Sequence, residues 1–159
     1  MRKFEKISFE QFKKDVCDDR ELYDSIQLPK RSTSHSVGYD IRSVEHYVLE
    51  PSTSKVFKTG IKVTFNEDEA FYLFDRSSFG FKYDITLSNS VGVFECDFYN
   101  NEDNEGHIAV KLINMGKNPV EINIGDRIAQ GVFMKYLTVD DEEKVEIKRK
   151  GGVGSTGRN

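Results

Sequence analysis

Between residues 46 and 137 apolar positions recur in short runs that turn residues interrupt. "HYVLEPSTSKVFKTGIKVTF" is rich in β-branched and aromatic residues and is broken at Pro51 and Gly60. The runs "EAFYLFD", "YDITLSN", "VGVFECDFY", "GHIAVKLIN", "NPVEINI" and "RIAQGVFMKYL" continue the pattern. Many short strands with little helix predict an all-β sandwich or barrel. Near the start the period changes. Ser8 stands three residues before Gln11, as in a capping box, and Phe9, Phe12 and Val16 follow at helical spacing. A helix is therefore predicted over about residues 8–18. After Leu137, "TVDDEEKVEIKRK" is charged and has little to bury, and "GGVGSTGRN" closes the chain. The pattern divides the chain into a single β-domain, residues 1–137, and a charged linker with a flexible glycine-rich tail, residues 138–159.

Composition narrows the possibilities. The 159 residues are 37% hydrophobic and 31% charged, enough for one domain with a real core. A formal net charge of -4 argues against nucleic acid or an anionic membrane as the main partner, since both require a basic face. Cys17 and Cys96 are too few for a disulfide scaffold, and no apolar run or leader-like segment stands out. These features predict a cytoplasmic protein. His35, His46 and His107 lack metal-ligand spacing.

Five segments carry candidate chemistry. In "SVGYDIRS", Gly38 permits a tight turn just before Asp40; a plain turn with a solvated aspartate is the simplest account. "DRSSFGFK" is a polar loop by pattern. Its Arg76, Ser77 and Ser78 offer a guanidinium and two hydroxyls, which suit a phosphate. In "LSNSVGVFECDFYNN", Asn89 lies in an expected hairpin, and Glu95 and Asp97 alternate along an expected strand, placing two carboxylates on one face. "NIGDRIAQGVF" feeds a Gly-Asp turn into a strand interrupted by Arg127 and Gln130. The tail's small residues expose amides, with hydroxyls from Ser155 and Thr156.

Taken in order, these segments resemble the five motifs of the homotrimeric dUTPase family: "SVGYDIRS", "DRSSFG", "NSVGVFECDFYNN", "GDRIAQ" and "GGVGSTG". The long "YNNEDNEGH" is similar to members from Gram-positive bacteria and their phages. The resemblance implies a distorted jelly roll, assembled as a homotrimer with shared sites. It also implies hydrolysis of dUTP to dUMP and pyrophosphate. In that reading Asn89, with the backbone at Gly92 and Val93, recognises uracil, and Phe98 packs on the deoxyribose. Arg76, Ser77, Ser78 and Gln130 hold phosphates. Glu95 polarises the attacking water, and Asp40 belongs to the water and metal network. Mg²⁺ is the implied cofactor, carried by the triphosphate and waters and not by protein ligands. Arg149, Gly152, Val153, Gly154, Ser155 and Thr156 form a closing lid.

The chain departs from the family pattern at three of these positions. Glu95 replaces the usual aspartate, and its extra methylene displaces the carboxylate by roughly 1 Å, a shift that can cost on the order of 100-fold in rate. Phe98 replaces tyrosine, losing only a hydroxyl. Val153 replaces a phenylalanine that lies over uracil, removing about 0.5–1.5 kcal/mol of stacking. These changes leave open a slowed enzyme or, alternatively, a dUTP-binding protein that acts through a regulatory protein partner. A dCTP deaminase on the same fold is a weaker alternative, because its Thr-Leu-Glu signature is replaced by "IAVKL".

Overall fold

The computed structural model describes residues 1–143 and residue 151. Strand β1 (Lys3–Lys6) leads into helices α1 (Phe9–Asp15) and α2 (Arg20–Ser25). Strands then take over: β2 (Lys30–Arg31), β3 (Tyr39–Arg42), β4 (Tyr47–Leu49), β5 (Ser54–Lys58), β6 (Ile61–Thr64) and β7 (Glu69–Phe74). Helix α3 (Ser77–Tyr83) separates β7 from β8 (Ile85–Leu87) and β9 (Gly92–Phe94). Strands β10 (Ala109–Asn114), β11 (Val120–Ile122) and β12 (Arg127–Lys135) follow. The expected all-β jelly roll is what forms, with Pro51 and Gly60 falling between strands as the pattern requires.

The largest sheet has the order β2-β3-β12-β7-β9, with every described pair antiparallel. A second sheet, β5-β10-β8, and two strand pairs, β1-β6 and β11-β4, complete the framework. Alternation along β3 and β7, with a register shift in β12 between Arg127 and Ala129, sends Ile41, Phe71, Leu73, Ile128 and Ala129 into one core with Leu49, Phe57, Ile85 and Leu112. Full burial of each large apolar side chain contributes about 1.5–3 kcal/mol. Gly131 in the central strand is dictated by packing: a Cβ there would stand 2.0 Å from Cζ of Phe71.

The N-terminal helix is split. It ends at Asp15, and Asp19 caps a second helix by accepting from the Leu22 N–H. The Ser8 hydroxyl accepts from the Gln11 N–H at 3.1 Å, half of the capping box. The other half comes from far away: the Ser8 N–H donates to Oε2 of Glu105 at 2.9 Å, a carboxylate that also receives Lys62. Ile7, Phe12 and Val44 form a small separate core under these helices. His107 fastens this layer to the body. Its Nδ1 faces Oδ2 of Asp15 at 2.6 Å, and its Nε2 accepts from the Gly60 N–H at 2.8 Å.

Residues 136–143 add no helix or strand. Among the described residues no helix is long and apolar enough to cross a membrane.

Candidate active site

The first, second and fourth motifs meet at one end of the β3-β12-β7 ladder. Asp40 lies opposite Gln130 in the β3-β12 register, and Gln130 lies opposite Phe74 at the end of β7. Asp75 and Arg76 follow directly, so the strand pairing delivers Arg76 to Asp40. Asp40 is buried, not the solvated turn residue of the simplest reading. Its Oδ1 lies 3.3 Å from Nε of Arg76, and its Oδ2 lies 3.3 Å from Nη1 of Arg127. The Ser32 hydroxyl donates to the same Oδ2 at 2.6 Å. One carboxylate therefore holds two guanidiniums side by side.

Arg76 also reaches Oγ of Ser78 and the Arg127 carbonyl, both at 3.3 Å. Burial, and then the neighbouring Arg127 charge, pull its pKa below the ordinary arginine value while Asp40 opposes them. The guanidinium stays charged and is held in place. Gln130 donates from Nε2 to the Asp75 carbonyl at 2.8 Å. Gly38 makes room for that amide: a Cβ there would stand 2.4 Å from Oε1 of Gln130. Asp75 in turn accepts from the Thr86 hydroxyl and the Leu87 N–H, both at 2.6 Å, tying the end of β7 to β8. The segment after Arg76 is helix α3 and not the expected loop. Phe79 packs against the main core, and Asp84 closes the helix in the left-handed conformation at φ 53°. Ser77 is exposed at its first turn and Ser78 is half-buried.

The third motif departs from its expected geometry. Strand β8 pairs with β10 and β9 pairs with β7, so Asn89 lies in a turn that crosses between sheets and not in a hairpin. The turn is tight, with the Ser90 N–H donating to the Leu87 carbonyl and Ser90 at φ 63°. Strand β9 ends at Phe94, and Cys96–Phe98 curl into a 3-10 turn, so Glu95 and Asp97 do not share a strand face. The cause lies downstream: the Asn101 amide donates to the Phe98 carbonyl at 2.8 Å, and the Phe98 N–H returns to the Glu95 carbonyl. Phe98 is buried, edge-on to Phe94 at 5.4 Å between ring centroids. Gly92 is buried, whereas Asn89, Val93 and Glu95 are exposed.

Glu95 and Asp40 are not brought together within one chain. Their strands are separated by β12 and β7, roughly 14 Å across the ladder at the usual strand spacing. The described residues thus form two half-sites: a cationic, phosphate-suited one around Arg76, and a second around Asn89 and Glu95. Arg149, Gly152, Val153, Gly154, Ser155 and Thr156 lie outside the described residues. Sequence reasoning passed over Arg127 and Ser32 as site residues. The "GDR" turn held the only signal for Arg127, and nothing local marked Ser32.

The dUTPase family model matches residues 24–157. A deoxyuridine 5'-triphosphate nucleotidohydrolase of Lactococcus lactis is 46% identical, covering 83% of this chain and 89% of its own length. The crystal structure of dUTPase from Streptococcus mutans is 39% identical with a TM-score of 0.71, covering 86% of this chain and 98% of that one. A phage phi11 dUTPase mutant from Staphylococcus aureus, described as coordinating a structural Mg(II) ion, shares the fold at 21% identity and a TM-score of 0.67. It covers 92% of this chain and 97% of its own. The motifs, the jelly roll and these matches agree, and the chain belongs to the dUTPase family.

Proposed function

We propose that the chain hydrolyses dUTP to dUMP and pyrophosphate in a homotrimer whose active sites are each completed by neighbouring copies. The observation that carries this reading is the division of the motifs into two half-sites about three strands apart. A single chain offers phosphate-binding cations at one end and an exposed carboxylate elsewhere, so neighbouring copies must supply the missing half.

In this reading the Arg76–Asp40–Arg127 cluster presents fixed positive charge to the phosphates, with Ser77, Ser78 and Gln130 adding hydrogen-bond donors. Both Asp40 oxygens are already engaged, so Asp40 positions the guanidiniums and does not take a proton. Glu95 accepts the proton of a water whose oxygen bonds to the α-phosphorus. The bond from that phosphorus to the bridging oxygen breaks, and its electrons leave with pyrophosphate. The Asn89 turn and the backbone at Gly92 and Val93 face uracil, and the uncovered margin of Phe98 meets the deoxyribose. The glycine-rich tail, delivered by the charged linker that begins at residue 138, acts as the lid.

In this reading Mg²⁺ arrives with the substrate, held by the triphosphate and waters. Bound there, Mg²⁺ offsets the charge of the phosphates and fixes their shape. The test is pyrophosphate release from dUTP in the presence of Mg²⁺. Turnover that collapses in Glu95→Gln supports the proposal, and no turnover by assembled wild-type protein overturns it.

A further inference from the structure

A polar cavity of about 840 Å³ opens beside the phosphate-suited half-site, between helix α3 and the turn that joins β10 to β11. Arg76, Ser78 and Arg127 line one end of it, and Lys82 and Lys117 line the rest with the turn backbone. Both lysines are exposed, and neither forms an ion pair or hydrogen bond with a described residue. Three carboxylates also line the space. Glu121 is hydrogen-bonded to His46 and Asp126 accepts from the Asn123 N–H, while Asp84 ends α3 through its backbone N–H, which donates to the Phe79 carbonyl.

The Lys117 turn is a built feature. Asn114, fully buried, donates from its amide to the carbonyls of Leu49 and Asn118 and accepts from the Gly116 N–H, all within 2.9 Å. The Met115 N–H donates to the Asp84 carbonyl at 2.9 Å, locking the turn to the end of α3. Gly116 is pressed close to that end, since a Cβ there would lie 3.0 Å from the Tyr83 carbonyl. Lys82 on the helix and Lys117 on the turn therefore rise from one rigid frame.

We propose that this cavity receives inorganic pyrophosphate, with Lys82 and Lys117 as its cationic partners beyond Arg76 and Arg127. The inference rests on the hydrolase reading and adds a place for the leaving group. Pyrophosphate carries several negative charges on freely rotating phosphates. Lysine ammonium groups, as compact point charges, suit such an anion without the planar fit an arginine demands. The cavity is continuous with the end that holds the phosphates before cleavage. A released product can therefore reach the lysines without leaving the cavity.

The test is calorimetric titration of the assembled protein with inorganic pyrophosphate and, separately, with dUMP. The Lys82→Gln/Lys117→Gln variant should weaken pyrophosphate binding roughly fivefold to tenfold, as expected for two solvent-exposed charge pairs. Binding of dUMP, which lacks the pyrophosphate portion, should stay unchanged. Equal pyrophosphate affinity in the variant and wild type, or a parallel loss of dUMP binding, overturns the proposal. So does a change in sedimentation, which would assign the lysines to contacts between copies. If the lysines govern pyrophosphate binding but no dUTP is turned over, the cavity stands and the hydrolase reading falls. If turnover is normal and pyrophosphate does not bind, the cavity falls alone.

Discussion

Gly38 and Gln130 occupy complementary space: the missing side chain at 38 is what lets the Gln130 amide lie against the Asp75 carbonyl. A methyl group at Gly38 would press on the mobile end of Gln130 and not on backbone. Gly38→Ala should therefore lower kcat/KM for dUTP about tenfold to a hundredfold, the scale of a misplaced binding group. Its thermal midpoint should move little. Steady-state kinetics alongside a melting curve would check this, and a large loss of stability with normal kinetics would contradict it.

Asp40→Asn removes the charge that holds Arg76 and Arg127 together. The variant should lose about 1.5–3 kcal/mol, the usual contribution of a hydrogen bond to a charged group, and bind dUTP more weakly. Urea unfolding and nucleotide titration measure the two effects separately.

The distance between Asp40 and Glu95 gives a complementation test. Asp40→Asn and Glu95→Gln chains, each nearly inactive alone, should regain activity when unfolded together and refolded as mixed trimers. With random mixing in equal amounts, about a quarter of the sites receive an intact copy of both residues, so activity should return to about that fraction. No recovery would mean that both residues serve the same site from one chain.

The buried imidazole of His107 is expected to set the acid limit of stability. Burial pushes its pKa below 6.5 despite the opposing pull of Asp15, and Lys58 and Glu105 act on it more weakly. Its Nε2 accepts from Gly60, so a proton there would turn an acceptor into a donor facing a donor. The unfolded chain takes up that proton first as pH falls below about 6.5, so this stability is present above 6.5 and lost below it. Burial is the largest single effect on Asp15 and pushes it up, but the bonds from His107 and Gln11 and the nearby positive charge together outweigh it and hold it below 3.8, so its contribution persists to lower pH before being lost. In His107→Gln the midpoint should fall by the equivalent of about 1–3 kcal/mol and its dependence on pH near 6 should flatten. Melting curves from pH 5 to 8 test both.

Val153→Phe restores a ring where the family pattern has one. Stacking worth about 0.5–1.5 kcal/mol should lower KM for dUTP twofold to tenfold, with kcat nearly unchanged. An unchanged KM would argue that the tail does not cover the base.

The strands were readable because β-branched runs, Pro51, Gly60 and the turns punctuate them locally. The Ser8 cap was readable for the same reason. Helix α3 was not: "SSFGFKY" has Gly80 inside it and no capping side chain at Arg76, and what holds it is Phe79 on the core. The third motif looked like a continuous strand because Glu95 and Asp97 alternate in sequence. The bond from Asn101 that curls it appears only in three dimensions. Asp40 looked solvated because the groups that bury it, Arg76 and Arg127, arrive from distant segments. The motif residues could be named from the sequence, while their division into two half-sites depends on strand order and could not be read from it.

Strand β12 lies at the centre of the largest sheet, yet among the described residues it is the last strand the ribosome makes. Until it emerges, β3 and β7 have no partner between them and present open edges. From the end of β7 at Phe74 to the end of β12 at Lys135, synthesis at ordinary rates takes roughly 3 to 12 s. The nascent chain therefore carries an unfinished sheet through that stretch of its translation, and self-association in that interval competes with productive assembly. A slowed ribosome, or a truncation just before Arg127, should send the protein into aggregates and not into a partly active form.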